Sequence, residues 1–359
     1  MKALNIVIAC GGTGGHLFPG IAVAQQLRKQ GHRPILLISR KEVDAEASSK
    51  YGDLEFHSIP AIAKPATLSL RMPAFLWKLF TTYLNCKKLL RQEKADVVLG
   101  MGGFTSLPPC KAARALGLRS YVHDSNAMPG KSNRLTARWC TKVLVGMQEA
   151  VQHFPGSDCA VVGTPVRDEI RHLPTPAEAR ERLGLPQDKP VILVTGGSQG
   201  ARNLNSLLIE AAKADPQVHY LVIAGRLDYE RVNALAGGAP NITVLGFCAD
   251  MPAAYAAADG VIARSGASTL TELSLIGKAC LLVPYPFAAD DHQTHNARAF
   301  SDHGAAVLIQ QADLTVQKVH DFVHGTALNP EARTAMESAM RALSRPDAAE
   351  DIARTILGE

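Results

Sequence analysis

With 359 residues, 47% of them hydrophobic and 20% charged, the chain has an ordinary globular composition, too long for one core and suited to about two domains. Its net charge of +5 is too mild for wholesale nucleic-acid binding and weakly favours acidic partners such as phosphates or an anionic lipid surface. Seven scattered cysteines without a CxxC pair argue against a disulfide frame or a cysteine zinc site, and no apolar run approaches the ~18 residues of a spanning helix, so a cytoplasmic location is expected.

Taken in chain order, residues 5–9 predict a buried strand, Cys10-Gly11-Gly12-Thr13-Gly14-Gly15-His16 a glycine loop, and residues 19–29 a helix that stops at Gly31. Further strands are expected over 35–39, 54–59, 97–101, 120–123, 142–145 and 160–163, with helical stretches between them, which makes a parallel, doubly wound sheet. The second half repeats the plan. A strand over 191–195 leads into Gly196-Gly197-Ser198-Gln199-Gly200-Ala201 and a helix over about 202–214, followed by strands over 219–224, 242–245, 260–263, 279–283 and 305–309. Two similar α/β units imply a cleft between them. The boundary is placed near Gly163-Thr164-Pro165-Val166-Arg167, giving domains 1–165 and 166–344, because a Pro-rich, charged segment follows through Pro190.

The chemistry concentrates in residues 261–297. Arg264-Ser265-Gly266-Ala267-Ser268 is a small-residue turn before a helix expected from about Thr269. A helix start leaves its first N–H groups unpaired and carries about half a positive charge, so a phosphate can sit there without a metal. Glu272, one turn on, faces the same side and can accept from sugar hydroxyls. Phosphate plus ribose means a nucleotide, although a glutamate so placed is by itself more often a solvated helix residue. The Pro284-Tyr285-Pro286 break brings Asp290, Asp291, His292 and Gln293 to the carboxyl end of the sheet, where open α/β folds bind ligands. Gly14 and Gly15 from the first loop, and Gly196-Gly197-Ser198 from the second, suit a diphosphate.

Rival classes stay open on the residues alone. A dinucleotide fingerprint would need glycine at Leu17 and an acid closing the second strand, where Ser39-Arg40-Lys41 stands; that basic pair leaves NADP binding as one alternative. Asp290, Asp291, His292 and His295 invite a metal. The expectation here is instead that the acids cap a helix and orient Gln293, with no metal and no cofactor. No Gly-x-Ser-x-Gly elbow appears. A sugar-nucleotide binding module without turnover is the third class.

The segments GGTGGH at Gly11–His16, MGGF at Met101–Phe104, HDSN at His123–Asn126, GTPVR at Gly163–Arg167, GGSQGA at Gly196–Ala201 and the 264–294 stretch together resemble the MurG family of GT-B glycosyltransferases over nearly the whole chain. The resemblance implies two Rossmann-like doubly wound domains, with a helix over 347–357 crossing back onto the first. It implies transfer of N-acetylglucosamine from UDP-N-acetylglucosamine to the 4-hydroxyl of MurNAc in lipid I (undecaprenyl-diphospho-MurNAc-pentapeptide), with inversion, at the cytoplasmic face of a bacterial membrane. Carried over by position, Thr13, Gly14, Gly15, Asn126, Arg167, Ser198, Gln293 and the run Ala267, Ser268, Thr269, Leu270, Thr271 and Glu272 would line the donor site, with Glu272 on the ribose and the backbone near Phe247 and Cys248 on the uracil. His16 and Asp124 are the catalytic candidates. His16, with an ordinary pKa near 6.5, suits a base at neutral pH, or else it binds the diphosphate; Asp124 would need a large upward shift.

Three departures stand out: Asp124 where the family commonly has glutamate, Leu107-Pro108-Pro109-Cys110 where a Gly-rich acceptor-side loop is common, and Phe287 in place of a histidine. A related transferase acting on another lipid or glycoside acceptor is the alternative. Contact with the anionic inner leaflet is expected through residues 68–91, where Phe75, Leu76, Leu79, Phe80, Tyr83 and Leu84 recur at helical spacing beside Lys78, Lys87, Lys88 and Arg91; the same periodicity suits a core helix facing the sheet, and Trp77 beside Lys78 favours the surface reading.

Overall fold

The structure, a computed structural model, describes residues 2–11, 14–39, 51–60, 70–196 and 202–359. Thr13, Ser198 and the Arg40-Lys41 pair lie outside the described residues. The chain divides into two compact units, residues 1–167 with 345–359 and residues 168–344.

The first unit is built on β1 (Asn5–Ala9), α1 (Gly14–Lys29), β2 (Arg33–Ile38), β3 (Glu55–Ser58), α2 (Met72–Gln92), β4 (Val97–Gly100), α3 (Gly103–Ala115), β5 (Arg119–Asp124), α4 (Lys131–Ala137), β6 (Lys142–Val145) and β7 (Cys159–Val161). Among the described residues these strands make a seven-stranded sheet in the order β3-β2-β1-β4-β5-β6-β7, and β1 pairs in parallel with both β2 and β4. Asn-Ile-Val-Ile-Ala is apolar at nearly every position because both faces of a parallel sheet are covered. Ile6 and Ile8 enter one core with Leu17, Ile21 and Leu99. Val7 and Ala9 point the other way, to Leu37, Cys86, Leu90 and Cys110.

The helix of the first unit begins earlier than the sequence predicts, at Gly14 instead of Pro19. Leu17 is fully buried in the core, and that burial outweighs the backbone bond lost at Pro19, whose missing N–H would otherwise reach the carbonyl of Gly15. Gly14, Gly15 and His16 are therefore first-turn helical residues. Leu107-Pro108-Pro109-Cys110 likewise lies inside α3 and is buried, so no acceptor-side loop is formed there.

Helix α2 splits the predicted apolar stripe in two. Phe75 packs edge-on to Phe104 of α3 with centroids 5.7 Å apart, and Thr82, Cys86 and Leu90 are buried. Leu76, Trp77, Phe80 and Leu84 remain exposed, Trp77 by 68%. Leu68 lies outside the described residues. Helix α13 (Ala348–Leu357) completes this unit by placing Ile352, Ala353 and Ile356 in the core beneath α1.

The second unit comprises α5 (Pro176–Leu183), β8 (Val191–Thr195), α6 (Arg202–Ala214), β9 (His219–Ile223), α7 (Tyr229–Ala236), β10 (Ile242–Leu245), α8 (Met251–Ala257), β11 (Gly260–Ala263), α9 (Ala267–Ile276), β12 (Cys280–Leu282), α10 (His292–Ser301), β13 (Val307–Leu308), α11 (Val316–Phe322) and α12 (Pro330–Ala342). Among the described residues its six strands run β10-β9-β8-β11-β12-β13, the same winding as the first sheet, with the first strand central. In each unit the strand order reverses beside that strand, between β1 and β4 and between β8 and β11. Segments leaving the carboxyl ends there diverge and open a crevice, which is where this class of sheet takes ligands.

Candidate active site

In the first unit three segments converge at the carboxyl ends of β1, β4 and β5. Gly102 and Gly103 have φ of 115° and 71°, values that a side chain tolerates poorly. A Cβ on Gly102 would stand 3.0 Å from the ring of His16 and 3.1 Å from the amide nitrogen of Asn133, so the two glycines let the imidazole lie against the backbone. Asn133 anchors this floor. Its Oδ1 accepts from the N–H of Gly103 at 3.0 Å, and its Nδ2 donates to Oδ2 of Asp124 at 2.8 Å and to the carbonyl of His123 at 3.2 Å.

Asp124 is 3% exposed and its carboxylate is saturated. Oδ1 accepts from the N–H and side-chain amide of Asn126 at 2.9 and 3.1 Å; Oδ2 accepts from Gly130 N–H at 3.1 Å as well as from Asn133. Four donors fill about the four lone-pair sites a carboxylate offers. The geometry makes Asp124 the organiser of the 124–133 loop, linked through Asn133 to Gly103, against which His16 lies. Asn126 is held by that same carboxylate, and the guanidinium of Arg167 lies over the ring of Phe18, 4.9 Å from its centroid.

His123, fully buried, donates through Nε2–H to the carbonyl of Gly163, 2.8 Å away. Burial pushes its pKa down, against the opposing pull of the Gly163 carbonyl and Asp124, and the nearby His16 pushes the same way as burial. His219 at the start of β9 is lowered too, first by burial and then by Lys189. An unfolded imidazole takes a proton near pH 6.5 while these two resist it, so the unfolded state binds more protons below that pH. Their contribution to stability is complete above about pH 6.5 and is lost as pH falls below it. Urea unfolding midpoints should therefore drop between about pH 7.5 and pH 5.5, and His123→Gln should flatten part of that slope; an unchanged slope in the variant would remove His123 as a source.

In the second unit α9 starts at Ala267, two residues before the sequence predicts, with Gly266 as an extended N-cap residue, no side-chain cap and no acid in the first turn. The first-turn N–H groups of Ala267, Ser268 and Thr269 thus stand at a helix start with no acid in its own first turn. Leu270 is buried beneath them and Thr271 donates back to the Ala267 carbonyl at 2.9 Å. Glu272 is half-buried, and its Oε2 accepts from the hydroxyl of Tyr255 at 2.8 Å. Tyr255, buried in α8, gave no sequence signal beyond being the lone aromatic in an alanine run.

Arg264, 7% exposed, donates to the carbonyls of Val283 and Pro284 at 3.0 and 2.9 Å and to Oε1 of Gln311. Burial lowers its pKa to about 10. It is a brace for the Pro-Tyr-Pro segment, a role that the turn reading of Arg264-Ser265-Gly266 did not identify. The Oε1 of Gln293 accepts from Tyr285 N–H at 2.9 Å, and Ser265 Oγ donates to the Gln293 carbonyl at 2.7 Å.

The backbone of Tyr285 and the hydroxyl of Ser265 therefore hold Gln293, while the acids do other work. Asp291 occupies the N-cap position of α10 without a side-chain bond to the helix N–H groups. Its φ of 51° turns the carboxylate to the hydroxyl of Thr294, 2.7 Å away. Among the described residues the acid and imidazole groups close enough to share an ion are Asp215 with His320 and His324, and Glu55 with His57 and Glu93; the 290–295 run is not one of them. Phe247, 56% exposed, carries the Arg226 guanidinium 4.7 Å from its centroid, and Cys248 beside it is buried.

Residues 6–145 match the glycosyltransferase family 28 N-terminal domain and residues 191–352 its C-terminal domain. A Desulforudis audaxviator protein named UDP-N-acetylglucosamine–N-acetylmuramyl-(pentapeptide) pyrophosphoryl-undecaprenol N-acetylglucosamine transferase is 37% identical, over 97% of this chain and 96% of that one. A protein of the same name from Neisseria meningitidis is 36% identical over 99% of both. The crystal structure of Acinetobacter baumannii MurG superposes with a TM-score of 0.78 at 31% identity, over 99% of this chain and 100% of that one. A UDP-GlcNAc 2-epimerase from Neisseria meningitidis, 14% identical with a TM-score of 0.69, shares the fold alone. Two doubly wound sheets with glycine-lined strand ends, matched at both halves and along the whole length, establish that the chain belongs to glycosyltransferase family 28 and, within it, to the MurG family.

Proposed function

We propose that the chain transfers N-acetylglucosamine from UDP-N-acetylglucosamine to the 4-hydroxyl of MurNAc in lipid I, forming lipid II and UDP with inversion. The observation that carries this reading is identity of about 35% to transferases of that name along essentially full length. In the second unit, the donor domain, the α9 start takes the diphosphate, Glu272 takes the ribose, and the backbone at Phe247 and Cys248 takes the uracil. The first unit, the acceptor domain, supplies His16. As the acceptor oxygen forms its bond to the anomeric carbon, the bond from that carbon to the diphosphate oxygen breaks; the hydroxyl proton passes to His16 and the charge leaves with UDP. Asp124 acts on that step by positioning the 124–133 loop. A panel of acceptors with labelled UDP-N-acetylglucosamine tests the assignment: lipid I should be the preferred acceptor, and preference for another lipid or glycoside would replace it.

The same reading places the enzyme at the cytoplasmic face of the bacterial membrane, as a peripheral protein. Among the described residues no helix is long and apolar enough to cross a membrane. Support for attachment is the exposed face of α2, where Leu76, Trp77, Phe80 and Leu84 stand beside exposed Lys78, Lys88 and Arg91. Basic side chains at an anionic surface contribute about 1 kcal/mol each. Charge reversal at Lys87, Lys88 and Arg91 is therefore expected to weaken binding to phosphatidylglycerol vesicles about 100-fold or more in flotation. Binding that ignores the reversal, or no binding by the unaltered chain, would count against this site.

A further inference from the structure

We propose that the second unit carries a transition-metal site, of the class that takes Zn2+, formed by Asp215, His320 and His324. Three observations carry it. The two histidines stand four residues apart, on α11 and the π-helical turn Val323–Ala327 that continues it, a spacing that sets both rings on one side of a helix, as zinc-binding pairs require. Their centroids are 5.8 Å apart. Asp215, 5% exposed, follows α6 and turns its carboxylate to this pair: Oδ2 lies 2.7 Å from Nε2 of His324, and one ligand atom from each of the three residues lies within 4.8 Å of the others. Ligands about 2.0–2.2 Å from a tetrahedral ion stand about 3.4 Å from one another, so small rotations of the partly buried His320 ring and the exposed His324 ring bring the set to bonding distance.

The surroundings suit a preformed site. Asn241 fixes the backbone on either side of the carboxylate, its Nδ2 donating to the carbonyls of Ala212, Asp215 and Val218 at 2.8, 3.1 and 3.2 Å. The hydroxyl of Tyr220 donates to Oδ2 at 3.5 Å, a hydrogen bond from behind of the kind that orients metal carboxylates. Nε2 of His320 lies 3.4 Å from the Ala211 carbonyl. Two imidazoles and one carboxylate select zinc, cobalt, nickel or copper over magnesium or calcium, which prefer all-oxygen sets. In the other candidate, Glu55 with His57 and Glu93, both carboxylates are already engaged by Arg33, which donates to them at 2.7–3.0 Å.

The Asp215 site sits at the amino end of β9, whereas the α9 start lies beyond the carboxyl end of β11. Parallel strands put those two ends on opposite edges of the sheet, so the ion does not reach the reacting groups; it joins α11 to the α6–β9 corner. The test is titration of the chelator-stripped full chain with Zn2+ alone. We expect one tight equivalent per chain, a Tm that rises with the logarithm of free Zn2+, and visible absorption from bound Co2+. His320→Gln and His324→Gln should each weaken Zn2+ binding about 100-fold or more and abolish the Co2+ band; circular dichroism in chelator checks that the variants fold. Initial rates of UDP release should be the same with and without chelator. Wild-type Zn2+ affinity in both variants, the absence of a tight equivalent, or turnover lost with chelator and restored by Zn2+ in the variants would each overturn the site.

Discussion

His16→Ala is expected to lower kcat about 100-fold or more while leaving donor affinity nearly unchanged, and to abolish the acidic limb of the pH–rate profile. The imidazole occupies the first turn of α1 against Gly102 and Gly103, at the carboxyl edge of the first sheet. A general base there contributes about 10²–10⁴-fold. If His16 instead binds the diphosphate, the variant should mainly weaken UDP binding and the limb should survive. Asp124→Asn provides the control. An amide in place of a carboxylate that accepts four donors turns one oxygen into an N–H facing other N–H groups, so the expected loss is of loop order and stability, about 1.5–3 kcal/mol. Its acidic limb should persist; a limb lost in Asp124→Asn and kept in His16→Ala would transfer the role to Asp124.

Glu272→Ala should raise the donor KM and lower kcat/KM by about 1.5–3 kcal/mol, roughly 10- to 150-fold, the worth of a charged hydrogen bond. The Tyr255 hydroxyl holds one carboxylate oxygen of Glu272, so Tyr255→Phe should show a smaller effect in the same direction by loosening that orientation. 2′-Deoxy-UDP-N-acetylglucosamine separates binding from bulk destabilisation: the analogue should lose affinity for the parent enzyme and much less for Glu272→Ala. Equal losses in both would detach Glu272 from the ribose.

How much of this was legible depended on which force decided each element. Strands such as Val191–Thr195 are continuous apolar runs between turn residues, and continuous burial on both faces leaves that mark in any sequence. The start of α1 was not legible, because Pro19 is a strong local signal and the burial of Leu17 that overrides it comes from packing across the sheet. In α2 the periodicity gave one apolar stripe, and only the position of α3 decides that Phe75 is covered while Phe80 is not. At the candidate site the glycine turn before α1 and the small-residue turn before α9 were readable as helix starts. The bonding of Asp124 to Gly130 and Asn133 was not, since it depends on where the loop returns. Asp291 showed the limit of a cap rule: an acid before a helix caps it only if its backbone leaves the carboxylate facing the first-turn N–H groups, and here, with φ of 51°, it turns to the Thr294 hydroxyl instead.

Helix α13 has a consequence for the order of assembly. Ile352, Ala353 and Ile356 belong to the core of the first unit, yet they follow the whole second unit in the chain. A nascent first unit therefore waits with part of its apolar face under α1 uncovered while residues 168–344 are made, a gap of about 10–35 s at 5–20 residues per second. The second unit, whose segments are contiguous, can close first although it is encoded later. The unit that carries the exposed aromatic face of α2 is thus also the one that stays longest open to chaperones, proteases and the membrane surface.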